Sequence, residues 1–237
     1  MYLHHAKSRS ILYNTKQQPV LVEDAVGSVG IRTVHDLWHA MEVQDEFILS
    51  QNTHDLEQLK PLARMQSIAK VWEAVVKEFG AIETAIDIGS GFGYGAVFLA
   101  LQGIKVLGIE NIAAKIRQAQ ALFKRLGVNI SLCDGFGFSN SPALMHADIL
   151  TVQTTVKVDL LSMFYVSAEL IAHPKLLEQS VKLLKPGGRI CISTEADVET
   201  VRHIINSLPY DITQYFELKY MALPGNFEQS VLLLKLR

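Results

Sequence analysis

From Gly80 onward the sequence alternates short apolar runs with amphipathic stretches, and that alternation admits few folds. Runs at Thr84–Ile88, Lys105–Ile109, Asn129–Cys133 and Arg189–Ser193, with another between 148 and 166, have the length and branching of buried strands. Helical spacing fills the gaps at Tyr94–Gln102, Ala113–Leu126 and Pro174–Leu184. Strand and helix in series bury both faces of a parallel sheet, so the pattern predicts a doubly wound α/β fold. Lys185-Pro186-Gly187-Gly188 cannot continue a helix and delivers the chain into the Arg189 run. A further helix is expected over Glu195–Leu208. The closing runs Ile212–Leu223 and Gln229–Leu236, joined by Pro224-Gly225-Asn226, predict an antiparallel hairpin. The fourth strand has two readings, Ala147–Thr154 or Val158–Val166. Spacing to the Pro-Gly-Gly turn favours the second, which makes Pro142–Val152 a helix.

Ahead of Gly80 the pattern differs. Residues 1–32 carry no sustained period and read as an irregular arm with room for one short helix. Val34, Leu37, Trp38, Met41, Val43, Phe47 and Ile48 recur at helical spacing from Thr33 to about Ser50. A second helix, kinked near Pro61, is expected over Asp55–Phe79, with Leu62, Met65, Ile68, Ala69, Trp72, Val75 and Val76 on one face. The division predicted is an arm and helical cap over 1–80 and the sheet domain over 81–237.

Composition narrows the function. Hydrophobic residues at 49% and charged residues at 19% suit an ordered globular chain. With 22 Lys and Arg against 24 Asp and Glu, the net charge of −2 offers no general basic field, so nucleic acid is not expected as a partner. Cys133 and Cys191 lie in apolar runs and behave as buried hydrophobes rather than a disulfide framework. No apolar secretory segment follows Met1, and no stretch reaches the ~18 residues needed to span a bilayer. The expectation is a cytoplasmic protein without a membrane partner.

The run Ala85-Ile86-Asp87-Ile88-Gly89-Ser90-Gly91-Phe92-Gly93 joins an expected strand to an expected helix, the setting of a nucleotide-binding turn. Glycines let a ligand approach backbone N–H groups at a helix start. A nicotinamide site wants Gly-x-Gly-x-x-Gly, and Tyr94 stands where the third glycine belongs. Glu110 ends the Lys105 run, where a carboxylate can accept both hydroxyls of a ribose; Asp134 ends the Asn129 run. Three acids thus fall at the carboxyl ends of consecutive strands, the ligand-binding edge of such sheets.

Asp87-x-Gly89-x-Gly91-x-Gly93, Glu110, Asp134 and Lys185-Pro186-Gly187-Gly188 together resemble the class I S-adenosylmethionine-dependent methyltransferases over roughly 84–237. The resemblance implies a Rossmann-like fold and S-adenosylmethionine as cofactor. It implies Asp87, Gly89, Gly91 and Gly93 around the methionine portion, Glu110 at the ribose, and Asp134, Gly135 and Phe136 at the adenine, with Ser90, Phe92 and Asn111 also among the cofactor-binding residues. No metal is implied. Ile86–Tyr94 with Gly108-Ile109-Glu110 and Asp134-Gly135 looks most like protein-L-isoaspartate O-methyltransferases, whose Ile-Ser-x-Pro substrate segment is not found here. A weaker likeness connects the same residues to non-SET histone-lysine methyltransferases. The acceptor implied is a small molecule or a protein side chain.

No catalytic residue is singled out. Tyr165, His173, Thr154 and Gln153 lie near the end of one or other candidate fourth strand, where acceptor-binding groups project in that family. His35 and His39, spaced i, i+4, could hold a metal but suit a solvated helix face better. Trp38, Met41, Phe47, Met65 and Trp72 could form a lid or simply pack a core. Two other functions compete: a nucleoside-binding regulatory module without turnover, and a nicotinamide-dependent oxidoreductase.

Overall fold

The apolar runs become strands of one eight-stranded sheet in the computed structural model, which describes residues 31–37, 72, 73, 76, 78, 80–125, 127–164, 166, 168–194, 198–209, 211–222 and 230–237. The strands are β1 Thr84–Ile88, β2 Lys105–Glu110, β3 Ser131–Leu132, β4 Ala143–His146, β5 Val158–Phe164, β6 Leu184–Thr194, β7 Phe216–Ala222 and β8 Ser230–Leu236. Their order across the sheet is β3-β4-β2-β1-β5-β6-β8-β7. The pairs from β3 to β6 are parallel; β8 enters antiparallel between β6 and β7. The fold is therefore a Rossmann-like, mostly parallel sheet with an antiparallel C-terminal pair.

The helices are α1 Tyr94–Leu101, α2 Ala113–Arg125, α3 Ala168–Ile171, α4 Pro174–Leu183 and α5 Val198–Asn206. On one sheet face Ile86, Ile88, Leu107, Ile109, Met145, Leu161, Met163, Ile190 and Ile192 are buried in one cluster with Leu176 and Leu177 of α4 and Val201 and Ile205 of α5. Each such side chain stabilises the fold by about 1.5–3 kcal/mol. Strand alternation sends Asp87, Gly108, Glu110, Ser162 and Cys191 to the other face. α1 has no polar face, and Tyr94 through Leu99 are all buried, as an all-apolar helix requires.

Two expectations change, and the open choice of fourth strand is settled for the favoured reading. The segment Pro142–Val152 is not a helix: Ala143–His146 is a strand between β2 and β3, with Ala143, Leu144 and Met145 buried. Burial on both faces overrides the helix propensity of Ala, Leu and Met. The Val158 reading of the following strand is the one observed, ending at Phe164, so Ala147–Thr154 is not a strand. Lastly, Leu184 already pairs with Val158, the register shifts, and pairing resumes at Leu160 with Arg189, so Lys185–Gly188 interrupts β6 rather than preceding it.

A carboxylate ties the sheet at the opposite edge from the glycine turn. Asp159 Oδ2 accepts the N–H groups of Glu83 and Thr84 and the Thr84 hydroxyl, and Oδ1 accepts Lys185 Nζ at 2.8 Å. Burial pushes this carboxyl up, but the Lys185 ammonium and the Thr84 and Glu83 donors outweigh it and hold it below its ordinary value.

The chain divides into two compact units, 1–73 with 120–129 and 74–119 with 130–237. In the first, residues 34–37 are helical. Thr33 and Asp36 cap that turn reciprocally: Asp36 Oδ2 accepts the Thr33 N–H and Thr33 Oγ1 accepts the Asp36 N–H. Trp38, His39, Met41, Phe47 and Met65 lie outside the described residues, as does Tyr165.

Candidate functional site

The glycine turn is bolted to β2 by backbone hydrogen bonds. Gly89 N–H and Ser90 N–H both donate to Ile109 O, at 2.8 and 3.1 Å, and Gly93 N–H closes the turn on Ser90 O at 2.7 Å. Gly89, Gly91 and Gly93 have φ of 67°, 55° and 83°, the left-handed region that only glycine enters cheaply. Gly91 N–H donates to Glu110 Oε2 at 2.9 Å, while Glu110 Oε1 accepts Ile112 N–H at 2.9 Å. Glu110 is buried, yet Asn111 and Ile112, directly after it, are exposed. The loop, the strand end and the carboxylate are thus one hydrogen-bonded unit.

Asp87 lies beneath this turn. Its Oδ1 accepts the Ser162 hydroxyl at 2.8 Å, and the Ala96 N–H also donates to it, so a strand carboxylate caps the first turn of α1. Gly93, the N-cap residue, supplies no side-chain cap of its own. Gly95 is required by the same contact, since a Cβ there would stand 2.7 Å from Asp87 Oδ2. Burial pushes the Asp87 carboxyl up to about 7, against the lowering effect of the Ser162 and Ala96 bonds, with nearby Glu110 adding to the rise.

The third acid of the sequence reading is in a different place from the other two. Asp134 follows β3, the edge strand, and is exposed with Gly135. Because β4 lies between β3 and β2, Asp134 is displaced about 10 Å from the Glu110 strand, two strand spacings. Phe136 packs against the sheet core together with Phe138. The residues beside Glu110 are instead those closing β4. His146 is its register partner, Ala147 N–H donates to Glu110 O at 3.1 Å, and Asp148 follows, exposed, with Oδ1 accepting Leu150 N–H. His146 Nε2 lies 3.1 Å from Asn111 O. Asp148 was legible as the acid that closes the short apolar run Ala143-Leu144-Met145, had that run been read as a strand.

Two of the acceptor-side candidates make local hydrogen bonds. Thr154 Oγ1 accepts Val156 N–H, and His173 Nδ1 accepts Lys175 N–H as the N-cap of α4. Gln153 is exposed between β4 and β5. Among the described residues no cluster of three or more His, Cys, Asp or Glu could hold a metal, and no helix is long and apolar enough to cross a membrane.

A family model described as a methyltransferase domain matches residues 81–222. Protein-L-isoaspartate O-methyltransferase of Xylella fastidiosa strain M12 is 27% identical over 165 residues, covering 65% of this chain and 70% of that protein. The enzyme of the same name from Christiangramia forsetii is 21% identical over 229 residues, 94% of this chain and 96% of its own length. Among solved structures, the N-methyltransferase NodS of Bradyrhizobium japonicum WM9, bound to S-adenosyl-L-homocysteine, superposes with a TM-score of 0.52 at 16% identity, covering 73% of this chain and 86% of its own.

Proposed function

The chain belongs to the methyltransferase-domain family, and from that premise we propose how its own residues hold the cofactor and which acceptors it serves. It is an S-adenosylmethionine-dependent methyltransferase. The observation that carries the site proposal is the state of Glu110. Two backbone N–H groups already orient its carboxylate, which leaves about two of its roughly four acceptor positions for the paired hydroxyls of a ribose. A carboxylate fixed before the ligand arrives loses little entropy on binding.

The turn from Gly89 to Gly93, with Ser90 and Phe92, takes the methionine portion, its backbone N–H groups and the start of α1 facing the ligand carboxylate. Asp87 holds that turn from below. Asn111 and Ile112, which is 46% exposed, continue past Glu110 toward the adenine. Asp148 takes the adenine position in place of Asp134, because β4 rather than β3 neighbours the Glu110 strand. When bound, S-adenosylmethionine supplies a sulfonium methyl group already activated for in-line displacement. The chain's part is then to orient and desolvate.

The acceptor is a small molecule or a protein side chain. The relatives named for L-isoaspartate make a carboxylate the first acceptor to try, although the Ile-Ser-x-Pro segment is absent. Calorimetric titration tests the site: S-adenosylhomocysteine binds and NAD does not. Gly91→Val weakens binding by at least roughly tenfold, since a branched residue at φ 55° is strained by about 1–2 kcal/mol and shifts the N–H that meets Glu110. Unchanged affinity in a folded Gly91→Val variant rejects the site. Labelled methyl groups transferred from the cofactor in a lysate then assign the acceptor: label should partition with protein or small molecules, and label removed by nuclease would overturn that class.

A further inference from the structure

Gly108 stands in the middle of β2 with ordinary extended backbone, so nothing in its dihedral angles asks for glycine. What asks for it is space. A Cβ at 108 would lie 2.8 Å from Ser90 Oγ, 2.9 Å from Ser90 Cβ and 2.5 Å from Leu144 Cδ2. Leu144 meets it with the far end of a flexible side chain, which can turn aside. Ser90 cannot: its Cβ sits directly on the glycine turn, and Ser90 N–H is fixed to Ile109 O. Among the described residues the buried Ser90 hydroxyl has no hydrogen-bond partner, so shape rather than bonding fixes this side chain. Its neighbour Gly91 is the residue whose N–H reaches Glu110, and Glu110 is two positions beyond Gly108 on the same face of the same strand.

Resting on the cofactor site proposed above, we infer that Gly108 and Ser90 are a pair of positioning residues, a gap in the strand and the side chain that fills it. Seating Ser90 over Gly108 sets the height of the glycine turn above β2, and at that height the Gly91 N–H and the Glu110 carboxylate meet. Neither residue needs to touch the reacting atoms. A side chain at 108 lifts Ser90, breaks the Gly91–Glu110 bond and turns the carboxylate away from its binding orientation.

A double-mutant cycle reads this directly as affinity for S-adenosylhomocysteine, with thermal melting of each variant alongside. Gly108→Ala weakens binding by about tenfold or more in the wild-type background, but by less than about threefold in a Ser90→Gly background, where the Ser90 atoms are gone and only the Leu144 methyl has to turn aside. Equal losses in the two backgrounds, or no loss, overturn the pairing. If Gly108→Ala alone fails to fold, the same cycle is read in melting temperature: Ser90→Gly restores a cooperative transition. Recovery with Leu144→Val and not with Ser90→Gly would mean that core packing, and not the turn, is what Gly108 serves. Failure of the wild type to bind S-adenosylhomocysteine at all refutes the underlying site, and is a separate result from additivity in the cycle.

Discussion

Asp87 carries the most unusual chemistry of any single residue in the described chain. It sits on the central strand with Ser162 beside it on β5 and Cys191 in register beyond, while Gly95 and Ala96 of α1 close it off from above. The charged or titratable neighbours are Glu110 from β2, which opposes ionisation, and Cys191 from β6, whose thiol burial pushes well above its usual range. The folded protein therefore keeps the Asp87 proton up to about pH 7, whereas the unfolded chain releases it near the ordinary value of 3.8. More protons are bound in the folded state across that window, so stability falls as pH rises through it. Asp87→Asn, which cannot ionise, removes the slope: relative to the variant, the wild type loses up to about 4 kcal/mol between pH 4 and 8. Melting temperatures of the two proteins across that range check this, and parallel profiles contradict it.

The elements differ in how openly the sequence declares them. β1, α1 and β2 were legible to within a residue, because a branched run, three glycines and a buried apolar helix leave one arrangement for Thr84–Glu110. The stretch from Ser131 to Phe164 was not. Only two residues of the Asn129–Cys133 run pair, and Ala143–His146 hides a strand in helix-forming residues; tertiary burial decided both. The link between these parallel strands is also unusual. Ten residues, 133–142, make a crossover without a helix, and Phe136 and Phe138 cover the sheet face that a helix would have covered. Sequence order offers Asp134, at the end of the strand consecutive with β2; the strand that neighbours β2 is β4, which is followed by Asp148, the residue proposed for the adenine. The expected outcome of paired substitutions follows: Asp148→Ala weakens S-adenosylhomocysteine binding by about fivefold to tenfold, more than Asp134→Ala does, by calorimetry. The reverse ranking restores the first reading.

At the scale of the molecule, the boundary drawn at residue 80 from the change of pattern does not describe every contact, because 120–129 group with 1–73. Helix α2 runs through Ala113–Arg125 and so belongs partly to each unit, with Phe123 fully buried in its second half. Because 120–129 group with 1–73, removing residues 1–73 is predicted to destabilise the remaining chain: it binds a hydrophobic dye and melts at lower temperature, whereas an unchanged melt would make 74–237 self-sufficient. The antiparallel pair at the other end of the chain bears on synthesis. Among the described residues β7 pairs with β8 alone, and β8 also pairs with β6. As the ribosome delivers residues in order, Phe216–Ala222 emerges before any strand it can bond to, and must wait as a loose ribbon until Ser230–Leu236 is threaded between it and the finished part of the sheet.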